Sequence, residues 1–396
     1  MGEASSVIVP RGFRASALKA GIKPSGGLDL ALLAADVPCS AAGTFTTNRV
    51  CAAPVRWCRQ IIPTDSARAI VVNAGNANAA TGAQGEANVR RTAETAAELI
   101  GCDPNQVLVA STGVIGHQLP MDRLESGLRA AAPALSSSPD SFLTAAQAIL
   151  TTDTRIKVVS ETRGDWSLFG MAKGAAMIGP RMATMLAFLT TDARISQSSL
   201  QSILSEAVEE SFNCLSVEGH TSTNDTVLLL ASGLAPGDEL KGHALDVFEK
   251  TLHESCQTLA QAMAADGEGS THFITIDVEG CTDREEARTL ARAVADSPLV
   301  KTAIHGADPN WGRIVSAAGY AGIPFEETEL SLWINNVCVY EKGTPTAFNA
   351  SALSANLRAN RDVHLRLLFA RGGSSIRFWT CDLTAEYVHL NADYTT

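Results

Sequence analysis

Five consecutive apolar residues, Met185 to Leu189, stand a few positions after a Gly179-Pro180 break. Proline fixes its own φ and biases the residue before it away from the helical region, so the chain turns at Gly179 and re-enters extended. A short apolar run bounded by such a turn reads as a buried strand. One residue is out of keeping with that strand: Thr184, a lone hydroxyl that opens the run. A β-branched Thr favours a strand start. The same position also suits a Thr whose own α-amine becomes its base once the preceding peptide bond is cut, the N-terminal-nucleophile form of hydroxyl catalysis. Spacing alone does not choose between these readings.

Ala69 to Val72 and Val107 to Ala110 read as two further strands, passing into the small-residue loop Asn73 to Gly82 and into Ser111-Thr112-Gly113. Between them Val89, Ala93, Ala96 and Ile100 mark one face of a helix that stops at Gly101. Leu200, Ile203, Leu204, Ala207, Val208 and Phe212 follow helical spacing opposite Glu206, Glu209 and Glu210. Strands are expected at 226–231, 273–278, 329–334, 364–370 and 375–379, and helices at 253–265 and 283–295. Strands and helices mixed without strict β-α alternation favour an α+β fold of layered mixed sheets covered by helices. Ser136 to Asp140 is the clearest linker-like stretch and reads as a surface loop between helices.

The chain has 396 residues, 45% of them hydrophobic, enough for two domains or one large layered one. Lys and Arg total 31 against 42 Asp and Glu, a formal net charge of −11, which argues against nonspecific binding to nucleic acid or anionic membranes. Nine cysteines are scattered singly with no C-x-x-C, so neither a disulfide framework nor a zinc site is suggested, and a reducing cytoplasm fits. The eight histidines include no H-E-x-x-H pair, so no metal is expected. No apolar run reaches the length of a membrane span, and a soluble protein is expected.

Acyl transfer needs a nucleophile, a base and donors for the tetrahedral oxyanion. Thr112-Gly113 offers a hydroxyl and an unobstructed main-chain N–H, although a bare Thr-Gly is more often a simple turn. Asn73 to Gly82 lacks the Gly-Lys-Ser/Thr ending of a phosphate loop and reads as a tight structural loop. Lys173 alone reads as a solvated charge. Glu268, in Asp266-Gly-Glu-Gly269, reads either as a plain acidic turn or as a carboxylate that its glycines let face a ligand.

The segment Met182-Ala-Thr-Met-Leu186 resembles the self-cleavage site of the ornithine acetyltransferase family, the glutamate N-acetyltransferases of arginine biosynthesis. Family-like blocks recur at 73–82, 111–116, 151–154, 221–226, 266–269, 306–313 and 391–396, so the resemblance covers nearly the whole chain. It implies a DmpA-like, N-terminal-nucleophile fold. It also implies cleavage between Ala183 and Thr184 into fragments 1–183 and 184–396, which stay associated as an α2β2 heterotetramer. Thr184 is then the nucleophile, Thr112 and Gly113 the oxyanion hole, and Thr154, Lys173, Thr184, Glu268, Asn391 and Thr396 the substrate contacts. The substrates are N-acetylornithine and glutamate, with acetyl-CoA as a possible second acetyl donor and no cofactor.

Two departures from the family pattern stand out. Arg181 replaces a small polar residue, and Glu218-Gly-His220 replaces a more acidic Asp-Gly-Asp-like turn. The rival readings are a Thr-nucleophile aminopeptidase or amidase, in which water takes the acyl group, and an uncleaved regulatory or scaffold protein.

Overall fold

A computed structural model describes residues 7–179 and 185–393. Pro180 to Thr184 and Thr396 lie outside the described residues, and with them the Ala183-Thr184 bond and the Arg181 departure.

The first sheet contains β1 (Phe13–Leu18), β2 (Leu30–Phe45), β3 (Thr64–Asn76), β4 (Val107–Val114), β5 (Lys157–Arg163), β6 (Trp166–Lys173), β7 (Leu186–Thr191) and β8 (Thr226–Ala231). Its order is β4-β3-β2-β8-β7-β6-β5, with β1 also paired to β2. Pairs β3–β4 and β7–β8 are parallel and the others antiparallel. The strand expected after Gly179 is therefore β7, inside the sheet, with all six residues buried. Ala187 and Leu189 join one hydrophobic cluster and Leu186 and Phe188 another. Apolar cover on both faces is why the run is apolar throughout rather than alternating.

The second sheet contains β9 (Phe273–Cys281), β10 (Leu330–Ile334), β11 (Val337–Glu341), β12 (Thr344–Pro345), β13 (Asp362–Phe369) and β14 (Ser374–Cys381), in the order β12-β11-β10-β13-β9-β14. One face is apolar, with Ile274, Ile276 and Val278 of β9 buried. The opposite face carries the Asp277–Arg377 and Glu279–Arg366 pairs. Helices Gln197–Glu209 and His243–Ala264 lie in one continuous core with both sheets. The fold is the layered α+β arrangement expected.

The first sheet draws β1 to β6 from before residue 184 and β7 and β8 from after it, so the expected fragments 1–183 and 184–396 share one sheet. The helix expected at 253–265 begins ten residues earlier, at His243. Part of its buried stripe is Thr251 and Ser255, which a hydrophobic pattern does not register. The helix ending at Ile100 is capped by Gly101 at φ 72, as expected for a left-handed C-cap. Ser138, in the loop 136–140, caps helix Pro139–Ala148 by accepting from Ser141 N.

Candidate active site

Strand ends converge on a cleft of about 640 Å3, solvent at its mouth included. Lys173, the last residue of β6, pairs with Leu186, the first of β7, which pairs in turn with Thr226, the first of β8. Thr112 and Gly113 come from the end of β4. Thr112, Gly113, Lys173, Glu268 and Asn391 all line this cleft.

Gly113 has φ +132, and a Cβ there would lie 2.3 Å from the Gly75 carbonyl carbon and 2.5 Å from Asn76 N. Only glycine fits so close an approach. The loop beginning at Asn73 is thus the backing of the Thr112-Gly113 corner: Ser111 Oγ donates to Asn73 Oδ1 at 2.6 Å, and Asn73 Nδ2 donates to Asn76 O at 2.8 Å. The structural reading of that loop stands.

Lys173 is not a solvated charge. It is 2% exposed, and its Nζ donates to Thr112 Oγ1 at 3.2 Å. Burial pulls its pKa down, Asp153, Asp225 and Glu268 oppose that, and Lys157 adds to it; the net shift is downward. Beside it is a buried ion cluster. Lys157 Nζ donates to Asp153 Oδ1 and to Asp266 Oδ2, each at 2.6 Å. Asp153 Oδ1 also accepts from Gly174 N at 2.6 Å. Burial pushes the Asp153 carboxyl up, but Lys173, Lys157 and the Gly174 N–H outweigh it and hold it below its ordinary value.

Glu268 is anchored by its main chain, which donates to Ala175 O at 3.0 Å, and its Oε2 accepts from Asn391 Nδ2 at 2.9 Å. Asn391 belongs to the exposed helix Ala385–Asp393, so the C-terminal segment reaches the cleft. Thr154 does not line it. Its hydroxyl donates to Asp266 Oδ1 and its N–H to Asp266 Oδ2 at 3.1 Å, while Thr151 and Thr152 line the cleft instead.

The stretch 216–225 holds both flanks of the segment 180–184. Ahead of it, Ile178 N donates to Glu218 Oε1 at 2.6 Å, and Ile178 O accepts from Val217 N at 2.7 Å. A Cβ on Gly179 would lie 2.5 Å from the Gly219 carbonyl carbon, so the chain passes flat against the Glu218-Gly-His220 turn. Behind it, Met185 N donates to Asp225 Oδ1 at 2.8 Å. Burial pushes both carboxyls up, Glu218 to about 8 and Asp225 well above its ordinary value. Neighbouring Asn224 Nδ2 donates to Ala77 O at 2.6 Å and Ser111 O at 2.8 Å, tying this stretch to the Thr112 corner.

Sequence reasoning assigned no role to Asp153, Lys157, Glu218 or Asp225. Asp153 and Asp225 do fall inside the recognised blocks 151–154 and 221–226, the one signal that marked them. Asp308 to Arg313, in the family-like block 306–313, is a helix start: Asn310 Oδ1 caps Arg313 N at 3.2 Å and Trp311 stacks on Tyr340. Among the described residues, His272, His305 and Asp382 bring potential metal-ligand atoms within 4.8 Å of one another, as do Glu206, Glu249 and His253. Neither group lines the cleft. His272 and His305 already contact Asp382 Oδ2, at 3.1 and 3.2 Å. No described helix is long and apolar enough to cross a membrane.

The ArgJ family profile matches residues 14–396. The chain belongs to the ArgJ family. It is 44% identical over 399 residues to the arginine biosynthesis bifunctional protein ArgJ of Rhodopirellula baltica, covering 99% of this chain and 97% of that one. A crystal structure of the arginine biosynthesis bifunctional protein ArgJ of Bacillus halodurans is 39% identical, covers 52% of this chain and 97% of its own, and superposes with a TM-score of 0.50. An ornithine acetyltransferase of Mycobacterium tuberculosis, solved with ornithine, is 42% identical over 44% of this chain and 96% of its own, with a TM-score of 0.43. The ArgJ family is the one the sequence motifs resemble.

Proposed function

We propose that the chain is a self-processing glutamate N-acetyltransferase of arginine biosynthesis that moves acetyl from N-acetylornithine to glutamate through an acetyl-Thr184 ester. The observation that carries this reading is the single cleft lined by Thr112, Gly113, Lys173, Glu268 and Asn391, with the residue after Thr184 held at Asp225. Family membership and the ArgJ names of the relatives support the substrates.

In the precursor, Thr184 Oγ attacks the Ala183 carbonyl carbon, the peptide nitrogen leaves as the Thr184 α-amine, and water hydrolyses the resulting ester to an Ala183 carboxylate. An α-amino group has a pKa near ~7.7, against ~10.4 for lysine, so a useful neutral fraction exists at neutral pH. That amine takes the Thr184 hydroxyl proton as Oγ attacks the acetyl carbonyl of N-acetylornithine. Thr112 and Gly113 donate to the oxyanion, and the proton passes to the departing ornithine amine. Glutamate's neutral α-amine then attacks the acetyl ester and restores the Thr184 hydroxyl. Lys173 and Glu268 supply both charge signs for two amino acids of opposite side-chain charge.

The bifunctional names of relatives support acetyl-CoA as a second acetyl donor. The Bacillus halodurans chain matches over nearly all of its own length yet only about half of this one, as a cleavage fragment would, which supports processing. The fragments remain associated as an α2β2 heterotetramer that needs no bound cofactor and works in the cytoplasm. A denaturing gel with N-terminal sequencing tests the reading. Two fragments are expected, the second beginning Thr-Met-Leu-Ala, and an intact chain that still transfers acetyl groups would overturn self-processing.

A further inference from the structure

We propose that Lys173, beyond any contact with substrate, is the positioning residue of the oxyanion site, its ammonium holding the Thr112 hydroxyl so that the hydroxyl proton points into the cleft. This rests on reading Thr112 and Gly113 as the oxyanion donors.

The geometry makes the case by counting protons. A Thr hydroxyl has one proton and two lone pairs, whereas an ammonium only donates. At 3.2 Å from Thr112 Oγ1, a charged Lys173 therefore occupies a lone pair and leaves the hydroxyl proton to be given elsewhere. A neutral amine at the same place has a lone pair that competes for that proton, so the donor is no longer committed to the oxyanion. Lys173 and Thr112 are 2% and 4% exposed, so water does not screen the contact. A hydroxyl that accepts from a cation is also a stronger donor.

Burial is the largest influence on Lys173 and acts against the ammonium; the carboxylates around it act the other way. Lys157 bonds Asp153 and Asp266 at 2.6 Å each, and Asp266 also has Arg155 Nε at 3.9 Å, so Asp153 has negative charge to offer Lys173. Asp225, ahead of β8, and Glu268, in the turn after helix His243–Ala264, also favour the charged form. Opposing it are Lys157 on β5 and Lys23 in the β1–β2 connection. Asp153 is the largest favourable influence and is fixed by Gly174 N, one residue along the chain from Lys173. Asp153 thus sets the charge on Lys173, and Lys173 sets the direction of Thr112. As pH rises and Lys173 loses its proton, transition-state stabilisation should fall while substrate binding changes less.

The test is a double-mutant cycle on the processed enzyme with N-acetylornithine and glutamate. Thr112→Ala is expected to lower kcat on the order of 10²-fold. Lys173→Met should lower kcat rather than only raise KM, and the double variant should be no slower in kcat than Thr112→Ala alone. Losses that multiply, or a Lys173→Met effect confined to KM, would overturn the proposal while leaving the acyl-transfer reading intact. An unchanged kcat in Thr112→Ala would instead bring down the oxyanion assignment and this inference with it. Should Lys173→Met fail to process, Asp153→Asn supplies an independent readout. Its alkaline limb of kcat should move to lower pH by roughly one unit, and a limb that stays in place would equally overturn the proposal.

Discussion

Asp225 Oδ1 accepts the main-chain N–H of Met185 at 2.8 Å, so a fully buried carboxyl fixes the residue that follows Thr184. Burial pushes this carboxyl well above its ordinary pKa, against the opposing Met185 hydrogen bond and the Lys173 charge. Asp225→Asn keeps an acceptor for Met185 N and is expected to unfold within ~1 kcal/mol of the parent chain. Asp225→Ala leaves a buried N–H unpaired beside a void and should cost about 2–4 kcal/mol. Urea denaturation at pH 7 separates the two; an Asn variant as weak as the Ala variant would show that the carboxyl does more than accept from Met185.

Glu218 holds the other flank, and its Oε2 has no hydrogen-bond partner among the described residues. Burial lifts its pKa from 4.5 to about 8. Between those values the folded chain keeps a proton that the unfolded chain has lost. The stabilisation is complete below pH 4.5 and disappears as pH rises through about 8. Glu218→Gln carries no such dependence. The stability of the parent relative to Glu218→Gln should therefore fall across that window and level off above it. Denaturant titrations at a series of pH values check the slope, and a flat difference would show that Glu218 is not held protonated.

Gly113 has no room for a methyl group, with a would-be Cβ 2.3 Å from the Gly75 carbonyl carbon and φ at +132. Gly113→Ala should cost about 1–3 kcal/mol from backbone strain alone. It should also lower kcat far more than Gly116→Ala, whose Cβ would meet nothing within 4 Å. Thermal melts and initial rates of the two variants make the comparison.

The fold was more legible in the sequence than the charges beneath the site. β7 stood out because apolar cover on both faces leaves no polar position in its middle. Ser196 and Asp283, which cap helices Gln197–Glu209 and Arg284–Ala295, lie where composition alone would place them. Lys157 stood out in nothing. Its partner Asp266 is 109 residues away, a separation that no local period reports. Read alone, Lys173 is an ordinary solvated lysine, and only the family resemblance put it at the site; its burial beside Thr112, 61 residues away, is a long-range contact that no local pattern reports. Thr154 and Thr151 share one short block, and only the turn geometry decides which lines the cleft.

Lys157 joins Asp153 to Asp266 on the far side of the proposed cleavage bond, with the lysine side chain fully buried. Lys157→Met removes the one buried cation bonded to both carboxylates, leaving Asp266 with the exposed Arg155 at 3.9 Å, and should cost about 3–5 kcal/mol. Since the ion cluster would span the two fragments of the proposed processing, the processed variant should also separate at lower urea than the parent. Size-exclusion chromatography in graded urea measures this, and an unchanged midpoint would remove the cluster from the account of what holds the fragments together.

In the proposed mechanism the acetyl group is carried on Thr184. The processed enzyme, incubated with N-acetylornithine without glutamate, quenched in acid and digested, should yield the N-terminal peptide beginning Thr-Met-Leu-Ala with one acetyl group on the threonine oxygen. Addition of glutamate before the quench should remove it. Turnover with that peptide always unmodified, under conditions where a synthetic acetyl ester survives the quench, would contradict the account.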